Sequence, residues 1–206
     1  MLRQAIPKAR VEVVTWAVPV RPTEVPFAER RGVAFIGGYG HQPNPDAAHW
    51  LVETIMPLVW QADPDIPCLL VGADMPESLR RLAGDRVIAL GHVPDLHADV
   101  LSRVRLTAAP LRFGAGIKGK VLESFAAGVP CAMSGIAAEG LQLTPGLQAL
   151  VGQNAAALAG LIGGLHGDEG LNRNAAEAGL DLLRRDFTAE RTMAALKAAI
   201  GGVAAP

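Results

Sequence analysis

The feature that most constrains this chain is an alternation: a short apolar run closed by a turn residue, then a longer stretch with helical spacing. The runs are Val33 to Gly37 (VAFIG), Cys68 to Gly72 (CLLVG), Val87 to Gly91 (VIALG), Arg105 to Ala109 (RLTAA), Pro130 to Ser134 (PCAMS) and Ala149 to Gly152 (ALVG). Short apolar runs bounded by turn signals suit strands buried on both faces. Between them, Asn44-Pro45-Asp46 reads as a helix start, with a capping side chain, proline in the first helical position and an acid in the first turn. Ala48, Leu51, Val52 and Ile55 follow at helical spacing. Asp95 is placed to cap a second helix carrying Leu96, Val100 and Leu101, and Val121, Leu122 and Phe125 mark a third. Strand and helix in this rhythm predict an α/β fold: a Rossmann-like, doubly wound parallel sheet of about six strands flanked by helices.

The ends depart from the rhythm. Residues 1–30 are punctuated by Pro7, Pro19, Pro22 and Pro26 and read as a connector or the remnant of a preceding domain, although Val11 to Trp16 (VEVVTW) has strand character. The main domain is expected over 31–187, with a C-terminal helix and tail over 188–206. Helical patterns run from Leu171 to Arg185 and from Ala189 to Ile200, the latter with Met193, Leu196 and Ile200 on one face.

Composition narrows the function classes. Half of the 206 residues are hydrophobic and 19% are charged, which suits a compact core. A net charge of −1 speaks against a nucleic-acid partner, which selects for a basic surface. Cys68 and Cys131 lie in apolar runs and read as reduced core thiols of a cytoplasmic protein. No long apolar run or signal-like N-terminus is present, so a peripheral contact is the membrane association left open. His49, His97 and His166 show no metal-ligand spacing, and no metal is expected.

Ligands of open α/β sheets bind beyond the carboxyl ends of the strands, where strand order reverses. Two loops there stand out. Gly37-Gly38-Tyr39-Gly40 lets backbone approach a ligand, though a plain strand-to-helix turn would read the same way. Pro110 to Glu123 (PLRFGAGIKGKVLE) is more specific: Gly114 and Gly116 precede a helix start flanked by Arg112, Lys118 and Lys120. Glycines, cations and a helix N-terminus together make an anion site suited to a diphosphate. Glu123, further along that helix, offers a carboxylate able to accept from both hydroxyls of a ribose. A surface helix with a Lys120–Glu123 pair is the plainer alternative.

These segments, taken in order, resemble the C-terminal, donor-binding domain of the family 4 retaining glycosyltransferases of the GT-B fold. The resemblance runs from about residue 31 to the end, through FIGG, the Pro43-Asn44 pair, LLVG, GHVPDL at Gly91 to Leu96, the string from Ala109 to Pro130, and AAEGL at Ala137 to Leu141. It implies a hexosyltransferase drawing on a nucleoside-diphosphate sugar as donor substrate, with no further cofactor and a glycan or lipid-linked acceptor. An N-terminal GT-B domain outside this chain would complete it. It implies a role for Lys118 in the chemistry, and Arg112, flanking the same helix start, is expected to share it as a replacement for the missing family cations. Glu123 would take the donor ribose. Gly114, Gly116, Ile117 and Lys120 would lie along the phosphates, the loop at His92 and Val93 would hold the base, and Gly38 and Gly40 would line the cleft. The central expectation is that Lys118 and Glu123 share one pocket. Two positions break the family pattern: Ala115 stands where the first Glu of its paired-Glu motif belongs, and Gly38 and Asn44 stand where an Arg and a Lys are usual.

Three rivals remain. A nicotinamide-dependent dehydrogenase meets a broken fingerprint, since Pro43 replaces the third glycine of G-x-G-x-x-G and Asp74 falls too far on for the ribose acid. A nucleotide-sugar epimerase shares the fold, and a non-catalytic nucleotide-sugar-binding module shares the pocket.

Overall fold

The computed structural model describes residues 13–201. Six strands, β1 (Val33–Ile36), β2 (Cys68–Val71), β3 (Val87–Gly91), β4 (Leu106–Ala109), β5 (Cys131–Ser134) and β6 (Val151–Gly152), form one sheet in the order β3-β2-β1-β4-β5-β6. Every neighbouring pair is parallel. The order reverses between β1 and β4, which share Val33 opposite Leu106 and Ala34 opposite Thr107. The expected doubly wound parallel sheet is therefore present, and its switch point lies between the β1 and β4 loops.

Alternation along β1 divides the core. Val33 and Phe35 face a large cluster with Leu51, Ile55, Leu122, Phe125, Leu158 and Ile162. Ala34 and Ile36 face a smaller one with Val71, Val100, Leu101, Val104 and Val129. β1, β4 and β5 are buried on both faces, which suits their largely apolar runs, whereas β3, at the sheet edge, leaves Ile88 and Leu90 exposed, contrary to the expectation for its run.

The boundaries correct several local expectations. The helix after β1 starts at Pro43, not Pro45, with Gln42 in the capping position and no side-chain cap. Asn44 thus lies inside the first turn rather than before it. Either proline fits the opening of a helix, so the sequence alone left a two-residue ambiguity. This helix, Pro43–Trp50, continues through a wide turn at Leu51–Ile55 into Met56–Ala62. Asp95 does cap: its Oδ1 accepts from the His97 and Ala98 N–H groups (2.9 and 3.0 Å), and these bonds hold its carboxyl below the usual range. The helix it opens, His97–Leu101, is wound wide, and the Ser102 N–H donates to the His97 carbonyl (2.8 Å).

The N-terminal segment makes no strand over residues 13 to 16; Val11 and Glu12 of that expected run, and Pro7, lie outside the described residues. It runs instead along the domain, its Val18, Arg21 and Thr23 N–H groups donating to the carbonyls of Phe187, Ala126 and Ala127 (2.9 Å each). The two C-terminal helices span Glu169–Asp186 and Ala189–Gly201. On the last, Met193, Leu196 and Ile200 are exposed.

Candidate functional site

The helix Gly119–Ala126, which carries Lys120 and Glu123, is held to the sheet by buried hydroxyls. Ser124 donates to the Val129 carbonyl (2.8 Å), which leaves Thr107 of β4 to donate to Ser124 (2.7 Å). Phe125 on the same helix is fully buried and presses on Gly179. The inner face of the helix is thereby fixed. Lys120, partly buried, and Glu123, exposed, emerge toward the switch point.

The first cleft, of about 390 Å³, opens there. It is lined by Ile36, Gly37, Gly38, Asn44, Val71, Gly72, His92, Val93, Leu96, Lys120 and Glu123. Close backbone packing forms its floor. Gly72 adopts φ +142°, and a Cβ built on it would stand 1.9 Å from the Gly37 carbonyl oxygen, so only glycine fits. A Cβ on Gly37 would meet Asn44 Cγ and Lys120 Nζ, both at 2.8 Å. A second cleft, of about 210 Å³, is lined by His41, Pro43, Asn44, Leu111, Phe113, Gly114, Ala115, Ile117, Lys118, Gly119 and Lys120. Asn44 and Lys120 are common to both, so the clefts meet at that pair. A third, of about 500 Å³, adjoins the first through Leu96 and Glu123 and reaches Val18, Pro19 and Arg21 of the N-terminal segment.

The cations divide differently from the sequence expectation. Lys118 and Glu123 do not share a cleft: Lys118 lines the second and Glu123 the first. The Lys118 ammonium donates to the Gly116 carbonyl and lies 3.6 Å from Glu139, with its side chain 10% exposed. It closes the glycine-rich loop on itself. Arg112 lines neither cleft; its guanidinium donates through Nε and Nη2 to the Asp46 carboxylate and lies over the Trp50 ring, 5.7 Å from its centroid. This bidentate pairing neutralises the charge and holds the Asp46 carboxyl below its usual range.

Lys120 is the cation that stands with Glu123. Its ammonium donates to Asn44 Oδ1 and sits 4.5 Å from the Phe35 ring centroid. Its pKa is lowered to about 8, chiefly by burial, with the nearby Glu123 carboxylate opposing the shift and Lys118 adding to it. Lys120 bonds to Asn44 and no ion pair joins it to Glu123, so the two charged groups line the same cleft without neutralising each other directly.

Among the other expected residues, Gly38 lines the first cleft, and its Cβ position is open. Gly40 lines neither cleft and lies beside Asp74. Gly114 (φ +122°) and Gly116 (φ +76°) shape the second cleft's loop, and Ile117 packs under Gly140, where a Cβ would stand 2.9 Å away. His92 and Val93 are in the first cleft. Gly37 and Leu96, in loops that the sequence places near a ligand, line the first cleft as well, and so do Gly72 and Asn44, which carry no ligand-binding role in the sequence expectation. Asn44 was masked by its resemblance to a helix cap. No group of metal-binding side chains occurs among the described residues.

A parallel sheet with a cleft at its switch point that holds a lysine and a glutamate fits many nucleotide-binding folds, and comparison with known proteins decides among them. The model of the family described as "Glycosyl transferases group 1" matches residues 30–168. The chain belongs to that family.

Solved structures agree on the fold of this group 1 glycosyltransferase chain. TarM superposes with a TM-score of 0.75 at 14% identity, over 92% of this chain and 38% of TarM. HepE from Anabaena, in complex with UDP and glucose, gives 0.68 at 15% identity over 86% of this chain and 50% of its own. WaaG, a glycosyltransferase involved in lipopolysaccharide biosynthesis, gives 0.62 at 16% identity, with 84% and 48% covered. The chain spans half or less of the length of these three proteins. No match is found among curated proteins. No helix of the described residues is long and apolar enough to cross a membrane.

Proposed function

We propose that this chain is the nucleotide-sugar-binding part of a glycosyltransferase that moves a hexose from a nucleoside diphosphate to an acceptor hydroxyl with retention at the anomeric carbon. The observation that carries the reading is the placement of Lys120 and Glu123 in one cleft at the sheet's switch point. A diphosphate needs a cation and an unblocked backbone N–H; Lys120 offers the first and Gly38 the second, the Gly37 N–H being engaged by the Val71 carbonyl (2.9 Å). A ribose needs a two-oxygen acceptor, which Glu123 offers. The base would lie against the loop at His92, Val93 and Leu96. Residues 31–187 would form the donor domain, residues 1–30 the connector and 188–206 the closing helix and tail.

Relatives of the same fold support the ligand class. S. aureus TarM is seen with UDP and alpha-GlcNAc-glycerol, and HepE with UDP-glucose. The acceptor, a glycan or a lipid-linked glycan, would be presented by a second GT-B domain facing the cleft. Chemistry follows from charge: bond breaking at the sugar leaves negative charge on the diphosphate, and a fixed ammonium next to it lowers that barrier. With Arg112 engaged by Asp46 and Lys118 by Gly116 and Glu139, the first cation to reach the leaving group is Lys120.

Calorimetric titration of the chain with UDP, GDP, ADP and dTDP, alone and as sugar conjugates, tests this. Saturable binding of at least one, lost in Glu123→Ala, is the expected result. Absence of binding by all of them refutes the donor-domain reading.

A further inference from the structure

One buried polar side chain at the joint of the two clefts carries no charge, yet it is built into the site. Asn44 is 6% exposed. Its Nδ2 donates to the Gly38 carbonyl (2.7 Å) and its Oδ1 accepts from the Lys120 ammonium. A carbonyl can only accept and an ammonium can only donate, so both partners demand the same orientation of the amide. Neither bond caps its own helix. One runs to the β1 loop and the other to the helix Gly119–Ala126, so the amide ties together the two segments that flank the switch point.

We infer that Asn44 is a positioning residue: its side-chain amide holds the Lys120 ammonium at the joint of the two clefts, with donor capacity left for an anionic ligand. The inference rests on the donor-binding reading above and adds to it the source of Lys120's geometry. An ammonium has three N–H donors. One goes to Asn44, and the Phe35 face, 4.5 Å from the nitrogen, attracts the charge without consuming an acceptor. A donor therefore remains for a ligand oxygen in either cleft. Gly37 completes the arrangement, since any side chain there would push on Asn44 and Lys120 together. The long lysine stem is thus restrained on three sides before a ligand arrives, which removes an ordering cost from binding.

The test uses Asn44→Ala and the near-isosteric Asn44→Asp in the full chain, with two readouts. The first is titration with UDP, GDP, ADP and dTDP across pH 7 to 9. The second follows the Lys120 ammonium in the ligand-free chain by NMR of 13C-labelled lysine, assigned with Lys120→Arg. Loss of the acceptor in Asn44→Ala should weaken nucleotide binding about tenfold or more, the usual effect of losing a hydrogen bond to a charged group. It should also move the Lys120 midpoint downward. Asn44→Asp should move the midpoint upward, because a carboxylate favours the charged amine, and should weaken binding by adding negative charge. A folded Asn44→Ala with unchanged affinity and an unchanged Lys120 midpoint overturns the inference. If the alanine variant fails to fold, an unshifted midpoint in folded Asn44→Asp overturns it equally. If the unsubstituted chain binds none of the four nucleotides, the donor reading fails and takes the ligand role of Asn44 with it. The lysine titration then still decides whether Asn44 holds Lys120.

Discussion

Raising the pH from 7 to 9 should weaken diphosphate binding about tenfold, and the size of the loss can be worked from the environment of Lys120. Its pKa is lowered to about 8, chiefly by burial. The cation is therefore present below pH 8 and lost as the pH rises through that value. About nine-tenths of the molecules carry it at pH 7 and about one-tenth at pH 9. If only the charged form binds, apparent affinity scales with that fraction, which gives the tenfold change, or about 1.4 kcal/mol. The other groups nearby do not reproduce this. Phosphate second ionisations lie near pH 6, so the ligand's charge is settled before the window opens. Cys131, buried, has its pKa pushed up to about 11 and stays a thiol. The assay is calorimetry with the best-binding nucleoside diphosphate at pH 7, 8 and 9, on the unsubstituted chain and on Lys120→Arg. Arginine stays charged throughout, so that variant should bind more weakly at pH 7, because its planar fork misfits the slot, yet show no decline toward pH 9. A flat profile in the unsubstituted chain, or an equal slope in Lys120→Arg, would refute the assignment of Lys120 as the diphosphate cation.

Other substitutions separate binding from stability. Glu123 is exposed, so Glu123→Gln should leave the melting temperature unchanged while reducing nucleotide affinity about tenfold, measured by the same titration. Lys118→Ala, by contrast, should cost less affinity than Lys120→Ala, because Lys118 already donates to the Gly116 carbonyl and faces Glu139; the reverse ranking would contradict the geometry. His166 is 5% exposed, and its Nε2 accepts from the Gly32 N–H (3.0 Å); burial, then Arg105, lowers its pKa from 6.5 to about 4. Its neutral form contributes stability that is complete above pH 6.5 and is lost as the pH falls toward 4, at most about 3 kcal/mol, so urea midpoints should fall over that window and fall less in His166→Gln. Gly179→Ala should destabilise the domain by about 1–3 kcal/mol in urea, since the new Cβ would stand 2.5 Å from the Phe125 ring.

Much of the fold could be read before the structure. All six apolar runs became strands, shortened at one end or both in five cases. Two of them end one residue early at Gly37 and Gly72, where the two loops come into backbone contact, and the other three begin late, at Leu106, Cys131 and Val151. Glu123 was equally legible, because one helix period after a glycine-rich loop leads to the cleft regardless of fine geometry. The choice among Arg112, Lys118 and Lys120 was not, since all three are cations within one turn-rich stretch. Asn44 was read as a cap because asparagine before proline has that meaning locally.

By itself the sequence determined the alternation of elements, hence a parallel sheet wound on both sides, and the loops that flank its switch point. Periodicity and turn chemistry are local properties, and they suffice for that. Only the tertiary structure decided which cation lines the same cleft as Glu123. That choice depends on partners far away along the chain: Asp46 engages Arg112, Glu139 faces Lys118, and Asn44 and Phe35 hold Lys120 in the cleft. A charged side chain's role is set by what neutralises it, and that information exists only once the chain has folded.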